Sequence, residues 1–301
     1  MKISIVGLGG ISQKYYLPIL STNEKLELQI FARTADTIQK TQTIWRIQKS
    51  AADIDDVIAW NPDAAFVLTP SSTHYEIVKK LLKSGIDVFV EKPATLHTEQ
   101  TQELAELAQN LGRISMVGFN RRYTPLHQRG KEYWGSRKIE FAEFVKFRKN
   151  PFHESARDHI YDDTIHLVDS MRYFCGEVTL AHKELRMDRQ LITCTGIFNI
   201  MDGGVATVVN TMRSGEWREN YILSGDGLTM EIQAFSALST YQGDEHRCWN
   251  ENYAGGTDPL IGRGFSGEIN HFLQCVTTRQ NPQTDLSDSI MTQKLVENLS
   301  D

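Results

Sequence analysis

Lys2-Ile3-Ser4-Ile5-Val6-Gly7-Leu8-Gly9-Gly10-Ile11-Ser12 is the stretch on which the fold turns. Its first five residues read as a short buried strand, and a helical segment reaching about Leu20 follows the glycines directly. A second apolar run, Leu26 to Ala32, arrives about 20 residues later. Strand, glycine turn, helix and second strand together form one complete unit for holding a diphosphate. Gly7 permits the tight turn, and Gly9 with Gly10 lets the backbone come close to an anion. The helix start at Ile11 and Ser12 supplies unpaired N–H groups and a partial positive charge. Ser12 stands where a third small residue is usual and is itself small enough to keep helix and strand close. Gly7, Gly9, Gly10, Ile11 and Ser12 are therefore candidate dinucleotide contacts.

Outward from this turn the pattern repeats. Ala64 to Leu68, Asp87 to Val90 and Ile114 to Gly118, the last closing the series as a sixth strand, alternate with amphipathic segments such as Tyr75 to Lys83 and Thr98 to Asn110. Such alternation predicts α/β architecture, a Rossmann-type doubly wound parallel sheet covering residues 1–120. Beyond Asn120 the rhythm changes. Lys138 to Lys149, Leu191 to Ile200, Val205 to Met212, Tyr221 to Ser224 and Leu228 to Ala234 read as strands, with one helix at Ile165 to Phe174. Residues 121–301 are thus expected to form an α+β domain with an open, mostly antiparallel sheet. Its final helices, Gly267 to Thr278 and Ser287 to Leu299, are expected to pack toward the first domain.

A chain of 301 residues is about twice a typical domain, which agrees with two. Its 38 acidic against 32 basic residues argue against a nucleic-acid surface. Cys175, Cys194, Cys248 and Cys275 form no paired motif, so no metal site is expected and a reducing, cytoplasmic setting fits. No membrane span or leader is read from the apolar runs, and the expected partner is a small-molecule substrate. One open face of the second sheet would need covering, which predicts a homodimer or higher homo-oligomer.

Chemistry-bearing residues gather at the predicted strand ends. Phe31-Ala32-Arg33 lacks the acidic residue that accepts a ribose 2′-hydroxyl. Arg33 instead suits a 2′-phosphate, which favours NADP over NAD. Thr69-Pro70-Ser71-Ser72-Thr73-His74 follows one strand, and its small residues are expected to line the cofactor, with His74 among the contacts. Glu91-Lys92-Pro93 follows the next strand, where open α/β sheets place their ligands. Pro93 holds Lys92 on a stiff bend, from which the ammonium would stabilise a developing oxyanion. Further on, Asp162 and His166 stand four apart on a helix, so the carboxylate can orient an imidazole that exchanges a proton, and Asp169 follows on that side.

These three ordered motifs, with Thr69 to His74 and the Gly267-Glu268 helix, make the chain resemble the Gfo/Idh/MocA (glucose–fructose oxidoreductase) family over nearly its whole length. Ile11 to Pro18 is most similar to the MviM-like bacterial branch. The resemblance implies a nicotinamide-dependent oxidoreductase acting on a sugar, cyclitol or related polyol, with Lys92 and His166 as the catalytic pair and Asp162 in support. It places Arg121, Arg122 and Tyr123 on a substrate-facing loop, where two arginines would suit an anionic substrate or serve a surface or interdomain role. Thr164 replaces the family's usual glycine and is expected to narrow the site. A dinucleotide-sensing regulator without turnover, or an NAD-assisted dehydratase or hydrolase, is the alternative on the same scaffold.

Overall fold

The apolar run that opens the chain is a strand, β1 (Lys2–Val6), paired in parallel on both sides. It neighbours β2 (Glu27–Phe31) and β4 (Ala64–Val67) in a sheet completed by β3 (Lys49–Ser50), β5 (Asp87–Glu91) and β6 (Ser115–Gly118). Their order is β3-β2-β1-β4-β5-β6, every pair parallel, as expected of a Rossmann sheet. The order reverses between β1 and β4, so the carboxyl ends of these two strands meet at the switch point. Every residue of β4 and β5 is buried, which is why both read as continuous apolar runs. Ser4 answers the buried Gln29 with a 2.9 Å hydrogen bond, so the polar pair inside this sheet is satisfied. Six strands were expected but only five were given residues, and β3 is the one left unplaced: its two residues are exposed and polar, and nothing in the sequence marks them.

The structure is a computed structural model that describes residues 1–151, 153–251 and 258–301. It divides into a first unit of residues 1–119 with 265–291, and a second of 120–264 with 292–301. In the first unit, helix Phe265–Thr278 supplies Phe272 to an aromatic cluster. The Phe272 ring lies 5.2 Å from Phe66 and 5.7 Å from Phe89, and Tyr16 stands edge-on to Phe89 at 5.5 Å.

The second unit is built on eight strands: β7 (Phe141–Phe147), β8 (Val178–Asp188), β9 (Gln190–Ile200), β10 (Val205–Thr211), β11 (Arg218–Gly225), β12 (Leu228–Gln233), β13 (Ala237–Gln242) and β14 (Glu245–Asn250). Their order is β14-β13-β12-β11-β7-β10-β9-β8, antiparallel except for the parallel pair β7–β10. Alternate residues along β7, β10, β11 and β12 are buried, and helices Pro125–Trp134 and Ile165–Cys175 pack on strands of this sheet. Of the strands missed in the sequence, β8 and β14 are largely exposed, and β13 alternates over only its first four residues. Helix Pro125–Trp134 was missed as well, although Thr124 and Pro125 are a sound start signal: the Thr124 hydroxyl accepts from the His127 amide.

Because Phe272 is fully buried against the rings of Phe66 and Phe89, Phe272→Ala should cost about 3–5 kcal/mol by cavity formation, measured as a shift of the urea midpoint at unchanged slope. A loss below about 1 kcal/mol would show that this helix is not part of the first unit's core.

Candidate active site

At the end of β1 the backbone of Gly7 adopts φ +101°, and a Cβ there would lie 2.6 Å from the Leu68 carbonyl oxygen. Only glycine allows this approach. Gly9 and Gly10 are exposed, and a Cβ on either would meet nothing within 4 Å, so the outer side of the turn is open. The Gly9 carbonyl accepts from the Gln13 amide at 3.0 Å, starting a helix whose first turn, Ser12–Tyr16, is π-helical. Ser12 is fully buried, as a residue spacing helix from strand should be. An open glycine edge over a helix start fits a dinucleotide pyrophosphate. Arg33 is exposed just past β2, beside the amino end of helix Ala35–Trp45, and makes no ion pair among the described residues.

Two neighbouring turns follow β4 and β5. In the first, Thr69 and Ser71 are half-buried, Pro70 is exposed, and Thr73 donates to the Thr69 hydroxyl at 2.8 Å. His74 departs from the sequence expectation of a cofactor contact. Its ring is buried, with Nε2 2.8 Å from the Thr69 carbonyl and Nδ1 2.9 Å from that of Pro93. Glu91 likewise faces inward, where its carboxylate accepts from the Tyr16 hydroxyl at 2.6 Å and from the Lys92 amide at 3.0 Å. Tyr16 also reaches Glu268 at 3.0 Å, and burial first, then the two carboxylates, raises the phenol well above its ordinary value. Lys92 itself is half-buried at the carboxyl end of β5, ahead of a cis bond to Pro93.

In the second unit the expected substrate arginines are already engaged. Arg122 forks onto the buried Asp169 with contacts of 2.6 to 3.2 Å, and Thr292 donates to the same carboxylate at 3.1 Å. Tyr123 is buried as well. Arg121 pairs bidentately with Glu219 at 3.0 and 3.1 Å. Its remaining nitrogen donates to Asn120 at 3.0 Å and lies 3.4 Å from Nε2 of His166. The arginines form walls of the unit, which removes the motive for an anionic substrate.

Below Arg121 runs a buried charge network that the sequence reading missed. Lys146 lies 2.8 Å from Asp163 and 3.2 Å from Glu219, Arg148 pairs with Asp163, and Tyr221 donates to Glu219 at 2.8 Å. A signal existed. Lys146 is in phase with the inward Ala142 and Phe144, and Glu219 with Tyr221 and Leu223. Burial alone would raise both carboxyls, but Arg121 and Lys146 hold Glu219, and Lys146 and Arg148 hold Asp163, far below the carboxylate range. Burial lowers the Lys146 ammonium, partly offset by the same two acids.

Asp162 lies in a π-helical turn, Ile160–Thr164, rather than in the α-helix assumed from sequence. Its carboxylate meets His153 at 3.0 Å, a contact no spacing rule indicated. His166 follows on helix Ile165–Cys175 and is buried. Thr164, expected to narrow the site, is fully buried, and its hydroxyl accepts from Asn210 at 3.0 Å.

The glycine turn, the β5 lysine and the acid–histidine helix are thus carried on a Rossmann unit and an α+β unit, and comparison with known proteins agrees. The Gfo/Idh/MocA family model, described as an oxidoreductase family with an NAD-binding Rossmann fold, matches residues 1–119. The MviM dehydrogenase structure from Clostridium difficile superposes with a TM-score of 0.91 at 26% identity, over 99% of this chain and 98% of that one. By these likenesses the chain resembles the Gfo/Idh/MocA oxidoreductase family. The chain is 29% identical to YceM of Salmonella typhimurium, classed as an oxidoreductase, over 99% of this chain and 97% of that protein. It is 25% identical to the myo-inositol 2-dehydrogenase of Thermotoga maritima over 71% and 66% of the two chains. The chain is an NAD(P)-dependent dehydrogenase.

The depressed carboxyl of Asp163 fixes the sign of a pH effect. Its contribution to stability is complete above the unfolded aspartate value of about 4 and is lost as pH falls through the lower folded value. Asp163→Asn should therefore cost about 3–5 kcal/mol at pH 7 and progressively less below pH ~4, read from urea unfolding at each pH. A pH-independent difference would contradict the ionised network.

Proposed function

We propose that this protein transfers hydride between NADP(H) and a hydroxyl or carbonyl carbon of an uncharged sugar, cyclitol or related small polyol. The observation that carries the reading is Lys92, half-buried at the carboxyl end of β5, two strands from the glycine turn that ends β1. A lysine there is placed to hydrogen-bond the oxygen of the reacting carbon and stabilise its negative charge. His166 exchanges the hydroxyl proton, with Asp162 in support. The nicotinamide supplies hydride transfer when bound, and the turn of Gly7, Gly9, Gly10 and Ile11 holds the dinucleotide's diphosphate, while the buried Ser12 spaces helix from strand rather than touching it.

Arg33 supports the preference for NADP, since an exposed guanidinium beside a helix start suits a 2′-phosphate. The uncharged substrate follows from Arg121 and Arg122 being spent on Glu219 and Asp169. We further infer a homo-oligomer through the second sheet, where Phe141 and Val205 are paired neighbours, each about two-fifths exposed. All four cysteines are free thiols, which suits a reducing cytoplasm. Among the described residues no helix is long and apolar enough to cross a membrane, and no cluster of ligating side chains could hold a metal.

On a panel of sugars and polyols, Lys92→Ala and His166→Ala should each lower kcat by about 10²-fold or more while NADP(H) affinity changes little. Full activity in both variants would sink the assignment. Arg33→Ala should weaken NADP(H) binding by about tenfold, seen by calorimetric titration, and leave NAD(H) unchanged. Equal losses for the two dinucleotides would reject the phosphate contact.

A further inference from the structure

The turns after β4 and β5 carry the groups assigned to cofactor and substrate oxygen, yet the strand pairing between them ends at Val67 and Val90. Beyond that register one buried side chain joins them. His74, the first residue of helix His74–Lys83, is 1% exposed and bridges the Thr69 carbonyl (2.8 Å) and the Pro93 carbonyl (2.9 Å). Carbonyl oxygens only accept, so each contact is a hydrogen bond only where the ring nitrogen carries hydrogen. A neutral ring closes one bridge, and an imidazolium closes both. Burial drives the ring toward the neutral form, and the Lys92 charge adds to it, while the carbonyls of Pro93, Thr69 and Ala94 hold the proton on.

We infer that His74 is a positioning residue for Lys92: its imidazole ties the carbonyl one residue beyond Lys92 to the Thr69 turn, fixing the spacing of the two. The inference rests on the reading of Lys92 as the group that meets the substrate oxygen. It replaces the expectation of a direct cofactor contact, because the buried ring turns both nitrogens to the backbone. Displacing a reacting group by about 1 Å costs as much as 10²-fold in rate, so the Nδ1–H bond to the Pro93 carbonyl acts on kcat rather than on binding.

The test uses His74→Ala with two amide variants. His74→Asn sets its amide near the Nδ1 position and can reach only Pro93; His74→Gln sets its amide near Nε2 and can reach only Thr69. Three quantities are measured on the full chain: pH-dependent labelling of Lys92 by an amine reagent, with exposed Lys80 as internal control, the Kd for NADP(H), and kcat and KM on a substrate that the wild type turns over. His74→Ala and His74→Gln should shift the Lys92 labelling profile but not that of Lys80, and lower kcat by about 10- to 100-fold with Kd and KM within about threefold, whereas His74→Asn, which keeps the Pro93 contact, should lie nearer the wild type. Wild-type labelling and kcat in His74→Gln would overturn the tether. So would a Kd that rises in step with the loss of kcat, which would mean that His74 touches the cofactor. Should Lys92→Ala keep full activity, the catalytic reading falls while the labelling data still decide whether His74 holds Lys92. If His74→Ala fails to fold, the two amide variants carry the test.

Discussion

The close approach of Gly7 to the backbone at Leu68 and Thr69 is the constraint on which the first unit depends. A side chain there would drive into the Leu68 carbonyl, and the positive φ would strain any L-residue. Because that contact closes, β1 and β4 end side by side where the strand order reverses, and the helix after the glycines starts at the same place. Crevices at such reversals bind ligands because strand ends and helix starts converge there. The next strand then delivers Lys92 at the same edge of the sheet. A single backbone conformation thus connects an N-terminal sequence motif to the chemistry of the family.

In the second unit the governing fact is buried charge. Arg121, Lys146 and Arg148 face Glu219 and Asp163 in a network whose inner members are all but inaccessible. Burying such groups is expensive, and removing one partner strands another, so the network favours one arrangement over many. Its upper end, Arg121, touches His166. The imidazole read as the proton exchanger therefore rests on a framework with little freedom to move. The same engagement explains why two consecutive arginines on a loop do not indicate an anionic ligand.

The strands β1, β4 and β5 were legible because parallel strands covered on both faces leave continuous apolar runs. β3 was not, since two exposed polar residues carry no pattern. The glycine turn and Lys92 could be placed from local context alone. Asp162 could not: a π-helical turn changes which side chains share a face, and the bond to His153 depends on a loop nine residues away. Lys146 and Glu219 were visible in principle as charges in phase with core residues, a signal easily passed over because alternation is read for apolar side chains. The role of His74 was hidden for a related reason, as partners that are backbone carbonyls of distant turns leave no trace in residue types.

The central claim is hydride transfer through a dinucleotide held by the first unit. Incubation of the purified protein with NADPH carrying deuterium at both C4 positions of the nicotinamide and a panel of keto-sugars and ketocyclitols tests it most directly, with mass spectrometry locating the label. Deuterium on the newly formed carbinol carbon, one atom per turnover, is the result this account predicts. Conversion of a substrate with no deuterium in the product would contradict it.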